Sequence, residues 1–122
     1  MLSFLKSSGP RVEQISPADA VARASKGEVV LIDVRELAEL RSTGKAKNAL
    51  HIPLSMIPLK ADLRQPDHAK GLSADKPVVV YCASGGRSGM AGQALLKLGY
   101  TQVYNLGGLG DWRAGGGAVV PA

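Results

Sequence analysis

Two nearly continuous runs of apolar, largely β-branched residues constrain the fold of this chain more than any other feature. Residues 29–34 and 77–82 have the length of strands and lack the alternation of polar and apolar side chains that marks a half-exposed strand. Such runs are expected in parallel sheets, where both faces of the sheet are covered. The sequence therefore predicts two central strands of a buried parallel sheet.

Further strands and helices are predicted around these two runs. A short strand near Gln14 leads into a helix over residues 18–25, for which Ser16 supplies the cap and Pro17 the first helical position. Strands that alternate with helices indicate an α/β fold with a central, parallel, five-stranded sheet flanked by helices on both faces. The other predicted strands are 49–52 and 101–105, and the other predicted helices are 36–42, one or two between 55 and 69, 88–98 and 107–113.

The domain organisation is predicted to be simple. A chain of 122 residues fits one domain and can bury a hydrophobic core without disulfides. We expect an N-terminal extension over residues 1–12, one domain over 13–116, and a C-terminal tail over 117–122 that is loose at its end.

Composition and charge narrow the classes of partner. The formal net charge of +5 raises the local concentration of anions, but the basic residues are scattered along the chain and aromatic residues make up only 4%. Scattered charge and few aromatics argue against a nucleic-acid surface. No apolar run is long enough to span a membrane. We therefore expect a cytoplasmic protein that has neither nucleic acid nor membrane as a partner.

Cys82 is the only cysteine, which excludes an internal disulfide and a metal site made of cysteines alone. We expect neither a metal nor a cofactor. Cys82 stands at the carboxyl end of a predicted strand, the edge of a parallel sheet at which ligands bind. The small residues after it let the backbone curl so that several N–H groups face one centre. The next helix adds its positive N-terminal end and Arg87 adds a full charge, so Cys82 is predicted to be a thiolate nucleophile.

The segment between this strand and the next helix completes the predicted site. A lone cysteine at the end of an apolar strand is usually a buried, inert residue, and it is the loop behind it that favours catalysis. A thiolate that takes sulfur from an anionic donor becomes a persulfide, another compact anion that needs the same N–H donors. The residues predicted to bind the substrate are Ala83, Ser84, Gly85, Gly86, Arg87 and Ser88.

Four ordered segments between residues 29 and 113 carry a family resemblance. They are Leu31-Ile-Asp-Val-Arg35 with Glu36, Ala49-Leu-His-Ile-Pro-Leu54, Val79-Val-Tyr-Cys82 with Gly86-Arg87-Ser88, and Asn105-Leu-Gly-Gly108 with Trp112. Together they resemble the rhodanese-homology domain. Two places depart from the family pattern: Gly44-Lys-Ala-Lys-Asn48 replaces a usual Gly-His-Ile-Pro-Gly, and Ala83 replaces the basic residue typical of thiosulfate loops, although Ser84-Gly85 is shared with mercaptopyruvate loops.

The resemblance implies a rhodanese-like fold and a thiosulfate sulfurtransferase. In such an enzyme, sulfane sulfur moves from thiosulfate or a similar small anionic donor to a persulfide on Cys82, and mercaptopyruvate stays open as another sulfur donor. The sulfur then passes to cyanide, an external thiol or an acceptor protein. Asp33 and Arg35 resemble the paired charges that the family has at the end of the second strand. We expect these two residues to support the site through hydrogen bonds that tie its loops together.

Two alternatives stay open at the level of sequence. A phosphatase or arsenate reductase resembles this chain in having a cysteine loop that ends in arginine, but five residues separate the two in those loops and four do so here. A shorter loop suits one sulfur atom better than a tetrahedral phosphate. The second alternative is a sulfur carrier or binding module that delivers persulfide sulfur to a partner protein without turnover.

Overall fold

The computed structural model describes residues 9–122, in which helices and parallel strands alternate. Ser16 caps the first helix as predicted, since its side chain accepts a hydrogen bond from the Asp19 N–H at 3.1 Å. The strands are β1 (Val12–Gln14), β2 (Val30–Asp33), β3 (Lys45–Ala46), β4 (Leu50–His51), β5 (Val78–Cys82), β6 (Val103–Gly108) and β7 (Val119–Val120). The helices are α1 (Pro17–Ser25), α2 (Leu37–Thr43), α3 (Ile57–Lys60), α4 (Gly86–Lys97) and α5 (Leu109–Ala114), with a 3-10 turn at Leu54–Met56.

Five strands form the main sheet in the order β1-β6-β5-β2-β4, and every neighbouring pair is parallel. The α/β fold with a central, parallel, five-stranded sheet is therefore confirmed. All residues of β2 and β5 are buried, which explains why these two strands are continuous apolar runs in the sequence. In the parallel register, Val30 lies opposite Val78 and Asp33 opposite Tyr81.

Helices cover both faces of this sheet, and successive residues of a strand belong to different cores. Val78, Val80 and Cys82 pack in one core with side chains from α3 and α4. Val79 and Tyr81 pack in the other core, which includes side chains from α1 and α5. The alternation along β5 thus directs the Cys82 side chain toward α4.

Some element boundaries differ from the predicted ones. The predicted helix at 88–98 begins two residues earlier, at Gly86, because Gly85 adopts the left-handed conformation that ends the loop. The predicted strand at 101–105 is displaced to Val103–Gly108, and the helix after it spans Leu109–Ala114. Between residues 55 and 69 only a 3-10 turn and the single turn of α3 form, and the stretch around Pro66 consists of turns.

Part of the predicted C-terminal tail forms a short strand, β7, and residues 121–122 follow it. Val119–Val120 pairs antiparallel with Lys45–Ala46, and the indole Nε1 of Trp112 donates a hydrogen bond to the Ala118 carbonyl at 2.7 Å. The first eight residues of the predicted N-terminal extension lie outside the described residues, and β1 begins inside that extension at Val12. Across residues 9–122, none of the helices combines the length and apolar character needed to cross a membrane.

Candidate active site

Cys82 is the last residue of β5 and lies at the carboxyl edge of the sheet, where it is only 1% exposed. Ala83, Ser84 and Gly85 connect it to α4. Gly85 adopts φ 109°, a backbone conformation that residues other than glycine rarely adopt. In this conformation the Gly85 N–H donates a hydrogen bond to the Cys82 sulfur at 3.0 Å.

The backbone around the sulfur is arranged to favour an anion. The Gly85 N–H donates to the Cys82 sulfur, the N–H groups of Ser84 and Ser88 also stabilise its charge, and the first turn of α4 adds its positive end. Burial by itself raises the pKa of the Cys82 thiol. The Ser88 hydroxyl and these N–H groups outweigh burial and lower that pKa to about 7. The predicted preference for thiolate thus has a physical basis in this loop.

Ser88 connects the sulfur to β6. Its hydroxyl oxygen lies 3.4 Å from the Cys82 sulfur and 2.7 Å from Oδ1 of Asn105. A hydroxyl has one proton, so the shorter bond to Asn105 holds it while Cys82 is a thiol. A thiolate is the stronger acceptor and attracts this proton. The Ser88 hydroxyl is therefore positioned to donate a hydrogen bond to the sulfur when Cys82 is a thiolate.

Asn105 holds two of the residues that donate to Cys82, namely Gly85 and Ser88. Its Nδ2 donates to the Gly85 carbonyl at 3.0 Å, and its Oδ1 also accepts from the Gly107 N–H at 3.0 Å. Sequence reasoning placed Asn105 in a family motif and assigned it no role. The available signal was a polar residue within an otherwise apolar strand, in the segment that follows the helix leaving the cysteine loop.

Two glycines at the end of β6 allow the cysteine loop to approach this strand. A Cβ atom at Gly108 would overlap the Ala83 carbonyl oxygen, so only glycine fits there. Gly107 has φ 108°, and a Cβ atom on it would meet the Asp111 carboxylate. That carboxylate accepts a hydrogen bond from the Gly108 N–H at 2.8 Å. The Gly-Gly pair therefore sets the close contact between β6 and the loop.

Arg87 lies in the first turn of α4, and its guanidinium binds a residue that sequence reasoning missed. Its two terminal nitrogens donate to the two carboxylate oxygens of Glu39, at 2.6 and 2.9 Å. This hydrogen-bonded pair raises the pKa of Arg87, and the guanidinium also interacts with Cys82. The Arg87 bonds lower the pKa of Glu39 to about 2. The helix after β2 begins at the same sheet edge as Cys82, which was the one signal pointing to Glu39.

Asp33 and Arg35 form a buried network beside the site. The Arg35 guanidinium binds the Asp33 carboxylate, with the closest pair of atoms 2.7 Å apart. Asp33 also accepts a hydrogen bond from the Tyr81 hydroxyl at 2.6 Å, and Arg35 donates to Thr43 and the Gly44 carbonyl, both at 2.8 Å. These bonds connect β2 to β5 and to the end of α2, whereas the Cys82 sulfur has its own separate set of donors.

The residues predicted to bind substrate occupy different positions. Gly85 and Ser88 contact the sulfur directly, and Ser88 is fully buried. Ala83, Ser84 and Gly86 are exposed, and Ser84 contributes its N–H rather than its side chain. The loop therefore offers backbone N–H groups to the sulfur, whereas the Arg87 guanidinium forms its hydrogen bonds with Glu39.

Comparisons with known proteins place this geometry in context. Residues 16–115 match the family described as the rhodanese-like domain. The chain is 35% identical over 103 residues to a thiosulfate sulfurtransferase of Coxiella burnetii, covering 84% of this chain and 88% of that one.

Solved structures agree with this likeness. A human single-domain sulfurtransferase superposes with a TM-score of 0.70 at 25% identity, covering 84% of this chain and 96% of that one. A protein of unknown function from Rhodopseudomonas palustris, described as a possible tyrosine phosphatase, superposes with a TM-score of 0.78 at 31% identity, covering 89% and 85% of the two chains.

Proposed function

This chain belongs to the rhodanese-like domain family and is a sulfurtransferase, and we propose that it carries sulfane sulfur as a persulfide on Cys82. The proposed donor is thiosulfate or a similar small anion. The proposed acceptor is a thiophile such as cyanide, an external thiol or a protein. The observation that carries the proposal is the convergence of three backbone N–H groups on one buried sulfur whose pKa is about 7.

The first proposed step is a displacement at sulfur. The Cys82 thiolate uses a lone pair to form a bond to the outer sulfur of thiosulfate. The bond between that sulfur and the sulfonate sulfur breaks, and its electron pair leaves with sulfite. The product is a persulfide anion on Cys82. The new terminal sulfur is one bond away from the Cys82 sulfur, so the N–H groups that stabilise the thiolate are close enough to stabilise the persulfide as well.

The second proposed step returns the enzyme to its starting state. A thiophile attacks the outer persulfide sulfur, the sulfur–sulfur bond breaks, and its electron pair restores the Cys82 thiolate. With Cys82 as the only cysteine, no second thiol of this chain can take the sulfur, so the acceptor is external. Since Cys82 is 1% exposed, the acceptor atom must reach a recessed sulfur. This favours slender acceptors such as cyanide or a thiol on an extended segment.

Steady-state turnover separates this enzyme from a sulfur carrier. Thiosulfate and cyanide are supplied together, and thiocyanate is measured against enzyme concentration. We expect many thiocyanates for each protein molecule. A single equivalent per protein would support a carrier that waits for a specific partner.

A phosphatase is the second candidate, because a structural neighbour is described as a possible tyrosine phosphatase. Four residues between Cys82 and Arg87, and an Arg87 guanidinium bound to Glu39, argue against a site for a phosphate group. Hydrolysis of an aryl phosphate faster than thiosulfate turnover would favour the phosphatase.

A further inference from the structure

The Arg87 guanidinium is held by a carboxylate near the cysteine loop. It forms a two-pronged ion pair with Glu39 and also interacts with the Cys82 sulfur. Both side chains of the ion pair are 35% exposed, so the pair sits at the rim of the site and not in the core. Paired geometry of this kind is the strongest form of a carboxylate–guanidinium interaction.

The Glu39 carboxylate is held in place from its own helix. Its Oε1 accepts a hydrogen bond from the Glu36 N–H at 3.0 Å, which completes the cap of α2. Leu40 anchors the middle of α2 in the protein interior, and Arg35 fixes its far end through Thr43 and Gly44. A carboxylate fixed in this way has little freedom to release Arg87 when a donor arrives.

The ion pair changes the charge that a donor meets. With Glu39 ionised, the charges of Arg87, Glu39 and the Cys82 thiolate sum to one negative charge. A doubly charged donor is repelled about twice as strongly as a singly charged one under these conditions. The loop N–H groups serve both donors equally, because both present the same outer sulfur.

We infer that Glu39 is a positioning residue that withdraws Arg87 from donor recognition and biases the site toward sulfane-sulfur donors with a single negative charge. This inference rests on the proposed function. It assigns the loop N–H groups, rather than the arginine, as the main anion-binding element. The favoured donors are thiosulfonates, in which an uncharged group replaces one charged oxygen of thiosulfate.

Thiosulfate and methanethiosulfonate form a matched pair for the test, since a methyl group in the second replaces one charged oxygen of the first. In both cases the Cys82 thiolate bonds to the outer sulfur and the bond to the sulfonyl sulfur breaks. Its electron pair leaves with sulfite in one case and with methanesulfinate in the other. Differences in leaving group cancel when the ratio of kcat/KM for the two donors is compared between variants.

Glu39→Gln is the informative variant, because the amide keeps the acceptor for the Glu36 N–H and removes the charge that holds Arg87. We expect kcat/KM for thiosulfate to rise by roughly fivefold or more relative to methanethiosulfonate, mainly through a lower KM. High salt should shrink this difference. Glu36→Gln is the matched control, since it removes the same charge from the start of the same helix without touching Arg87, and its donor ratio should equal that of the wild type.

Arg87→Gln tests whether the effect passes through the arginine. In an Arg87→Gln background, adding Glu39→Gln should change the donor ratio clearly less than it does in the wild type, because a charge is still lost but no guanidinium is released. The inference is wrong if Glu39→Gln leaves the donor ratio unchanged, or changes it equally with and without Arg87. Failure of the proposed function looks different: intact mass would show that neither donor adds sulfur to the wild-type protein.

Discussion

The Gly85 N–H points at the Cys82 sulfur from 3.0 Å, across a turn of only two intervening residues. Gly85 reaches this position because its φ of 109° bends the chain back over the end of β5. The same bend starts α4 at the next residue, so the helix terminus and the N–H groups act on one atom. The thiolate character of Cys82 thus follows from backbone geometry.

The rate of sulfur uptake should depend on pH through this thiolate. The nucleophile is the deprotonated form, so the single-turnover rate with limiting thiosulfate should rise with pH, with a midpoint at about 7, and level off above it. Ser88→Ala removes a hydroxyl that stabilises the thiolate, and should move the midpoint upward. Ser84→Ala keeps its backbone N–H and should keep the midpoint near 7. An unchanged midpoint in Ser88→Ala would show that the hydroxyl does not stabilise the thiolate.

Asn105→Ala should damage the site more than its distance from the sulfur suggests. The change removes bonds to Ser88, Gly85 and Gly107 at once, so the loop loses its attachment to β6. We expect sulfur-transfer activity to fall by roughly tenfold to a hundredfold, as for other misplaced catalytic groups. Gln102→Ala, an exposed position before the same strand, serves as the control. Wild-type activity in Asn105→Ala would contradict the positioning role.

Gly108→Ala should displace the cysteine loop. The added Cβ atom would occupy the place of the Ala83 carbonyl oxygen, so either the loop or the end of β6 must move. Activity and thermal stability should both fall. Gly110→Ala is the matched control, because it has open space around it in α5, and alanine there should stabilise by roughly 0.5–1 kcal/mol. Equal melting temperatures for the two variants would contradict the close approach.

Tyr81→Phe should lower stability while sparing chemistry. The Tyr81 hydroxyl donates to Asp33 at 2.6 Å and accepts from the Ala46 N–H at 2.9 Å, so its loss removes the partner of the buried Ala46 N–H and one of the bonds to Asp33, which Arg35 still holds. The expected cost is about 1–3 kcal/mol in the free energy of unfolding, measured by urea denaturation. The pH midpoint of activity should stay near 7, since the Cys82 sulfur has other donors. A shifted midpoint would place the Asp33 and Arg35 network in the catalytic site.

The buried strands were predictable because a strand that is buried on both faces is a continuous run of apolar residues in the sequence. Residues 29–34 and 77–82 are apolar throughout, and they became the adjacent strands β2 and β5. The ends of β6 and α4 were harder to predict. Gly107 and Gly108 are typical of a turn, yet they continue β6, since their small size is what admits the Ala83 carbonyl. Gly86 has no side chain that could mark the start of a helix in the sequence. The start of α4 is set instead by the left-handed conformation of Gly85.

The position of Cys82 and its loop was also predictable, whereas the partners of the loop were not. Glu39 is 48 residues away from Arg87, and Asn105 is 17 residues away from Ser88. Local patterns do not report such pairs, because they arise when helices and strands that are distant in sequence meet at one edge of the sheet. The sequence therefore predicted Arg87 as a cation for the donor, and the structure shows that cation bound to Glu39.

The persulfide on Cys82 is the central claim, and intact mass spectrometry after incubation with thiosulfate tests it most directly. We expect the wild-type protein to gain the mass of one sulfur atom, cyanide to remove it, and fragmentation to place it on Cys82. Cys82→Ser should fold normally and gain nothing. Sulfur uptake by Cys82→Ser, or a wild-type protein that transfers sulfur without ever showing the added mass, would contradict the account.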